Sequence, residues 1–192
     1  MIHWQSNPQL QTICKCTLIR ARTIAAYLIL FVALVLVQVL IFNHIMLFGV
    51  AAPIVFIYFI IRLGMGVSFN ALITLGFLMG LTIDICSDTL GMNALACTLL
   101  AAVKKPVFSL YTQRDESIAE ITPSISTLGI WIYSKYLITM VLIYCLLYFI
   151  IEYFTAASFW EMVLMICSST LLSFLLMLGI DGLMLKKREQ RL

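Results

Sequence analysis

The sequence predicts an all-α integral membrane protein, a six-transmembrane-helix bundle with both termini in the cytoplasm. Three observations predict it. Of 192 residues, 63% are apolar and 11% charged, with a mean hydropathy of +1.08. Soluble domains run at about 45–50% apolar and about 25% charged, and a ball of this size cannot hide so much apolar surface from water. The second observation is a succession of apolar runs, each near the roughly 20 residues that a helix needs to cross a bilayer core about 30 Å thick. The third is the placement of the basic residues. The composition excludes a disordered chain, a disulfide-rich secreted module and an ordinary cytosolic enzyme, and it leaves no room for a separate soluble domain.

The elements follow in order. Residues 1–23 are polar, carry Lys15, Arg20 and Arg22, and read as a cytoplasmic N-terminal segment. The run 24–42 is too long for a signal-peptide core and no A-x-A cleavage pattern follows it, so it reads as an uncleaved first crossing. The second crossing is 45–61 and contains Pro53, a residue that kinks helices. The third is 67–83, the fourth 90–103 with a possible extension to Tyr111, the fifth 128–151 and the sixth 162–185. The transmembrane domain is therefore 24–185, and 186–192 is a basic cytoplasmic tail. With six crossings, Arg62, Lys104, Lys105, Arg114, Lys135, Lys186, Lys187, Arg188 and Arg191 join the three N-terminal cations on one side. The other side carries none, and adding or dropping a crossing destroys the segregation. Positive residues stay inside, which places both termini in the cytoplasm. The outer side holds Asn43, His44, Asp84, Asp88, Glu152 and Glu161, and aromatics such as Trp131, Tyr153 and Trp160 mark the borders. In the one substantial loop, 112–127, Ser117-x-x-Glu120 has the form of a capping box for a short helix ending before Pro123.

Several functions lack their residues. The net charge of +3 is spread over several loops, without the dense basic face that nucleic-acid binding needs. Cys14-x-Cys16 has no second ligand pair near it, and Cys86, Cys97, Cys145 and Cys167 lie in or beside apolar runs, so the cysteines read as packing residues and no metal or other cofactor is expected. Gly80, Asp84 and Asp88 match the second half of the CDP-alcohol phosphotransferase signature, but its first half is absent upstream. The one Asp-Gly is Asp181-Gly182, downstream and followed by Leu183 and Met184. Half a carboxylate set holds no divalent metal against a diphosphate. There is no G-x-S-x-G for an intramembrane serine protease, whose His would have to be His3 or His44, and no phosphate-binding G-x-x-x-x-G-K-[ST].

The informative segment is 75–103. Gly76 and Gly80 share a helix face and admit close approach of another helix. Asp84 continues that stripe one turn on. A carboxylate at membrane depth costs about 2.5–3.5 kcal/mol at a helix centre and less near the edge, so Asp84 reads as a contact to a neighbouring helix or partner. Asp88 or Thr89 reads as the cap of the fourth crossing. Asn93 is placed to bond Asp84 across the turn, and Gly91 suits a backbone shape closed to other residues. The fourth run to Val103 gives only about 21 Å of helix, so the 84–89 turn dips below the outer surface. On the sixth crossing, Asp181 reads as half of a structural ion pair with Arg62 or Lys135 rather than a transport group, and Ser169 and Ser173 form a small-residue packing face.

Gly76, Gly80, Asp84, Leu90-Gly91 and Asn93-Ala94-Leu95 together resemble the MreD family, the rod shape-determining membrane proteins. The specific likeness covers about 25 residues. It implies a non-enzymatic role at the bacterial inner membrane, in the machinery that elongates the cell wall. It implies binding to the single-spanning MreC protein and, through it, contact with the MreB filament, the elongation transpeptidase and its glycosyltransferase partner. The site residues become partner-binding or helix-packing groups, with no nucleic acid and no small-molecule substrate. The resemblance also implies a fold similar to the S components of ECF vitamin transporters. That opens an alternative from another class, a solute-capturing subunit whose pocket would contain Asp84, Asn93 and Trp160. Against it, Ala25, Ala26 and Ala33 on the first crossing give no A-x-x-x-A on which an energising module would dock.

Overall fold

A computed structural model describes residues 8–41, 53–112, 122–152 and 159–189. These residues form seven helices and no strand: α1 (Pro8–Leu40), α2 (Tyr58–Arg62), α3 (Phe69–Ser87), α4 (Met92–Tyr111), α5 (Ile125–Leu128), α6 (Ile130–Glu152) and α7 (Phe159–Glu189). Five of them, α1, α3, α4, α6 and α7, are long and apolar enough to cross a membrane. Their outward faces are apolar, with Leu28, Ile29, Leu40, Leu171 and Leu175 exposed, while Asp84, Lys104 and Asp181 are buried. Apolar outside and ionisable inside is the arrangement that a lipid solvent demands. The protein is a multi-pass α-helical membrane bundle.

The helices alternate in direction. Gly80 faces Asn93 and Ala94 while Gly76 faces Cys97 and Ala101, so α3 and α4 are antiparallel. Phe108 meets Tyr136 edge-on at 5.5 Å and Asn93 meets Tyr144, which makes α4 and α6 antiparallel. Tyr133 faces Asp181 and Cys145 faces Thr170, so α6 and α7 are antiparallel as well. Neighbours in the chain are neighbours in space: α3 packs on α4, α4 on α6, α6 on α7, and α1 closes on α3.

The expected second crossing departs from a continuous helix. Its first part, 45–52, lies outside the described residues. From Pro53 to Ile57 the chain is not helical, and only the five residues of α2 follow. This stretch runs antiparallel to α1, with Val55 bonded to Gln38 and Phe59 edge-on to Phe31 at 5.3 Å. It is deeply enclosed, Ile57, Tyr58, Ile60 and Ile61 being fully buried. Irregular backbone survives at membrane depth only where protein satisfies its polar groups. Here the Gln38 amide donates to Pro53 O (3.1 Å) and its oxygen accepts from Val55 N–H (3.0 Å). The Ile54 N–H donates to Ser173 Oγ on α7 at 2.8 Å. Ser173 is therefore a hydrogen-bond partner as well as a packing residue.

Several boundaries differ from the expected ones, and α7 runs on to Glu189, into the expected tail. α1 reaches back to Pro8, where proline's missing N–H costs nothing in a first turn. α4 takes the longer of its two expected extents, so Lys104 and Lys105 sit within the helix rather than in a loop. The Ser117–Glu120 box lies outside the described residues. The short helix that forms is α5, after Pro123, with the Ser124 N–H donating to Thr127 Oγ1 at 3.1 Å.

Candidate functional site

The site is the corner where α3 turns into α4. Two glycines bring the helices together. A Cβ on Gly80 would lie 2.4 Å from Asn93 O and 2.5 Å from Ala94 Cα, and one on Gly76 would lie 2.9 Å from both Ala101 Cβ and Cys97 O. The close approach that the spacing predicts is thus made to α4 of the same chain.

At the corner Asp88 adopts the left-handed conformation (φ 54°, ψ 41°), and its N–H closes α3 on Asp84 O. The Thr89 N–H donates to the same carbonyl at 3.0 Å. Gly91 supplies the second left-handed residue (φ 82°), a shape that glycine adopts without strain. These two residues swing the start of α4 onto the Asp84 carboxylate. Oδ2 accepts the Ala94 N–H at 2.7 Å. Oδ1 accepts the Asn93 N–H at 3.1 Å, the Asn93 side-chain amide at 2.9 Å and the Thr89 hydroxyl. A carboxylate facing the positive end of a helix dipole through charge-assisted bonds is well stabilised. Asn93 then passes the connection on: its Oδ1 accepts the Tyr144 hydroxyl at 2.6 Å. One network ties α3, α4 and α6.

This corrects the expected division of labour. The cap is made by Asp84, with Thr89 as its helper, while the Asp88 side chain is exposed and only its backbone takes part. Asp84 is 3% exposed and holds four donors of its own chain, so it presents no free face. Leu90, by contrast, stands at the tip of the corner with 98% of its surface exposed.

A second polar cluster lies at the opposite ends of these helices. Arg62 Nη1 is 2.8 Å from Asp181 Oδ1, forming the ion pair. The Tyr58 hydroxyl donates to the same oxygen at 2.5 Å. Lys135, the other expected partner, is exposed on α6 and does not join the pair. Lys104, fully buried, donates to Leu63 O at the end of α2, and Lys105 donates to Val67 O at 2.7 Å. Two lysines of α4 thereby satisfy carbonyls of the α2–α3 connection.

Sequence reasoning missed Tyr144, Gln38, Tyr58 and the buried state of Lys104. Gln38 carried a signal, being an amide in the middle of an apolar run. Tyr144 carried none that separates it from its aromatic neighbours. Among the described residues no group of three or more His, Cys, Asp or Glu side chains could hold a metal ion. No family model, curated protein or solved structure matches the chain.

Proposed function

We propose that this protein is a non-enzymatic scaffold of the bacterial cell-wall elongation machinery, an MreD-like subunit of the inner membrane that binds an MreC-like single-spanning protein and helps maintain rod shape. In this reading the chain crosses six times, with 45–61 as the second crossing, and both termini are cytoplasmic. The alternating directions support it, because they bring the Pro8 end of α1 and the Glu189 end of α7 to the same side.

The observation that carries the reading is the saturation of Asp84. The residues behind the family resemblance form a rigid corner whose polar groups bond one another. Such a corner serves shape and presents Leu90. The solute-capture alternative needs Asp84 and Asn93 open to a ligand and Trp160 in a pocket, whereas Trp160 is exposed. The test is affinity purification of the tagged protein in mild detergent, with mass spectrometry of what travels with it. Recovery of an MreC-like protein and wall-elongation enzymes is expected, and its loss on Leu90→Ser places the contact at the corner. Recovery of an ATPase pair with a coupling subunit overturns the scaffold reading.

A further inference from the structure

Four lysines and arginines have described side chains, and all four lie toward one end of the bundle. Three of them are answered inside it. Arg62 pairs with Asp181 at 2.8 Å, Lys104 donates to Leu63 O, and Lys105 donates to Val67 O at 2.7 Å. Lys135 is the exception. Its side chain is exposed, and among the described residues no carboxylate or carbonyl meets its ammonium. The face it occupies is not one for water. Trp131, Ile138, Leu142 and Leu146 are exposed along the same stripe of α6, at the three- and four-residue spacing of one helix face. That is a face the bundle turns to lipid. A cation there needs an anion, because hydrocarbon offers it neither water nor a hydrogen-bond acceptor.

The depth of Lys135 says where that anion lies. α6 begins at Ile130, so Lys135 stands about 7.5 Å along its axis, one turn further in than Trp131, which is 80% exposed. An exposed tryptophan at the end of a crossing marks the headgroup level, and a lysine stem is long enough to reach back one turn to it. The neighbouring wall is fixed in place. The Tyr111 hydroxyl at the end of α4 donates to Thr139 Oγ1 at 2.8 Å, and the Thr139 hydroxyl in turn donates to Lys135 O at 2.9 Å. We propose that Lys135 is a binding site for the phosphate of an anionic phospholipid, held against the lipid face of α6 at the level marked by Trp131. A zwitterionic headgroup carries its own cation beside the phosphate and gains less from the lysine. Lipid phosphates lie at this level, which favours them over a carboxylate from another helix. The proposal goes beyond the scaffold reading and stands independently of it.

The experiment is native mass spectrometry of the full chain in detergent, titrated separately with phosphatidylglycerol and with phosphatidylcholine of the same acyl chains. It compares the wild type with Lys135→Gln, Lys135→Arg and Lys187→Gln, the last a loss of equal charge in the basic tail. The Lys135 side chain bonds nothing in the fold, so Lys135→Gln keeps the wild-type Tm in lipid-free detergent, and that is measured alongside. The site predicts that the wild type binds phosphatidylglycerol more tightly than phosphatidylcholine. It predicts that Lys135→Gln weakens the tightest-bound phosphatidylglycerol about fivefold and leaves phosphatidylcholine unchanged, while Lys135→Arg and Lys187→Gln retain wild-type affinity. Equal affinity of the wild type for the two lipids overturns the proposal. So does an equal loss in Lys135→Gln and Lys187→Gln, which would show attraction to net charge alone. Unchanged phosphatidylglycerol binding in Lys135→Gln also overturns it, and leaves the lysine to a carboxylate of a partner helix.

Discussion

Replacing Gly80 by alanine adds one methyl group, and the geometry fixes what that methyl meets. It would lie 2.4 Å from Asn93 O, 2.5 Å from Ala94 Cα and 2.7 Å from Ala94 N. All three are backbone atoms, so no rotamer change relieves the clash, and α3 and α4 must separate by about 1 Å to restore ordinary contact distances of about 3.5–4.0 Å. Overpacking of this kind costs about 1–3 kcal/mol. The same shift stretches the 2.7 Å bond from Ala94 N–H to Asp84 one turn away, and weakening a buried charge-assisted bond adds about 1–3 kcal/mol. A total near 3 kcal/mol corresponds to a fall in Tm of about 6–12 °C for a chain of this size. The control is Gly179→Ala. That glycine lies in α7 with nothing within 4 Å of an added Cβ, so the change gains up to about 1 kcal/mol of helix propensity and raises Tm by about 2–4 °C. Thermal unfolding of both purified variants in detergent, followed by intrinsic fluorescence, measures the difference. Equal Tm values for the two variants would refute the close-approach account of the corner.

Other variants separate the remaining contacts. Tyr144→Phe leaves Asn93 Oδ1 without its donor and costs about 1–3 kcal/mol, read by the same unfolding assay. Arg62→Gln strands the buried Asp181 carboxylate and costs about 3–5 kcal/mol, while Lys135→Gln, on an exposed side chain, stays within about 0.5 kcal/mol. Asp88→Gly removes a Cβ from a left-handed position and raises Tm or leaves it unchanged; a marked fall would mean that the exposed carboxylate does work the corner geometry does not account for.

Parts of this architecture are readable from residue order because they depend on spacing alone. Gly76 and Gly80 must share a helix face, Gly91 suits a turn that other residues resist, and Asp181 in an apolar run needs a cation. Pro53 signals an irregularity in the second crossing, but the non-helical run on to Ile57 was not legible, since hydropathy is the same for an apolar stretch whether it is helical or extended. What permits the break is distant in sequence, at Gln38 and Ser173. Asp84 and Asp88 are each placed to cap α4, and the choice turns on the left-handed backbone of Asp88, a property of the folded corner rather than of local composition. Lys104 looked like a loop cation because its charge was counted while its carbonyl partner, at Leu63, lay 41 positions away.

Depletion of the protein from its host cells tests the proposed role in cell shape most directly. The account predicts that rods become round as the protein is lost, that wild type restores the rods, and that Gly80→Leu, which breaks the α3–α4 corner, does not. Unaltered rods, with growth that now depends on an added vitamin, would contradict it and make this a solute-capturing subunit.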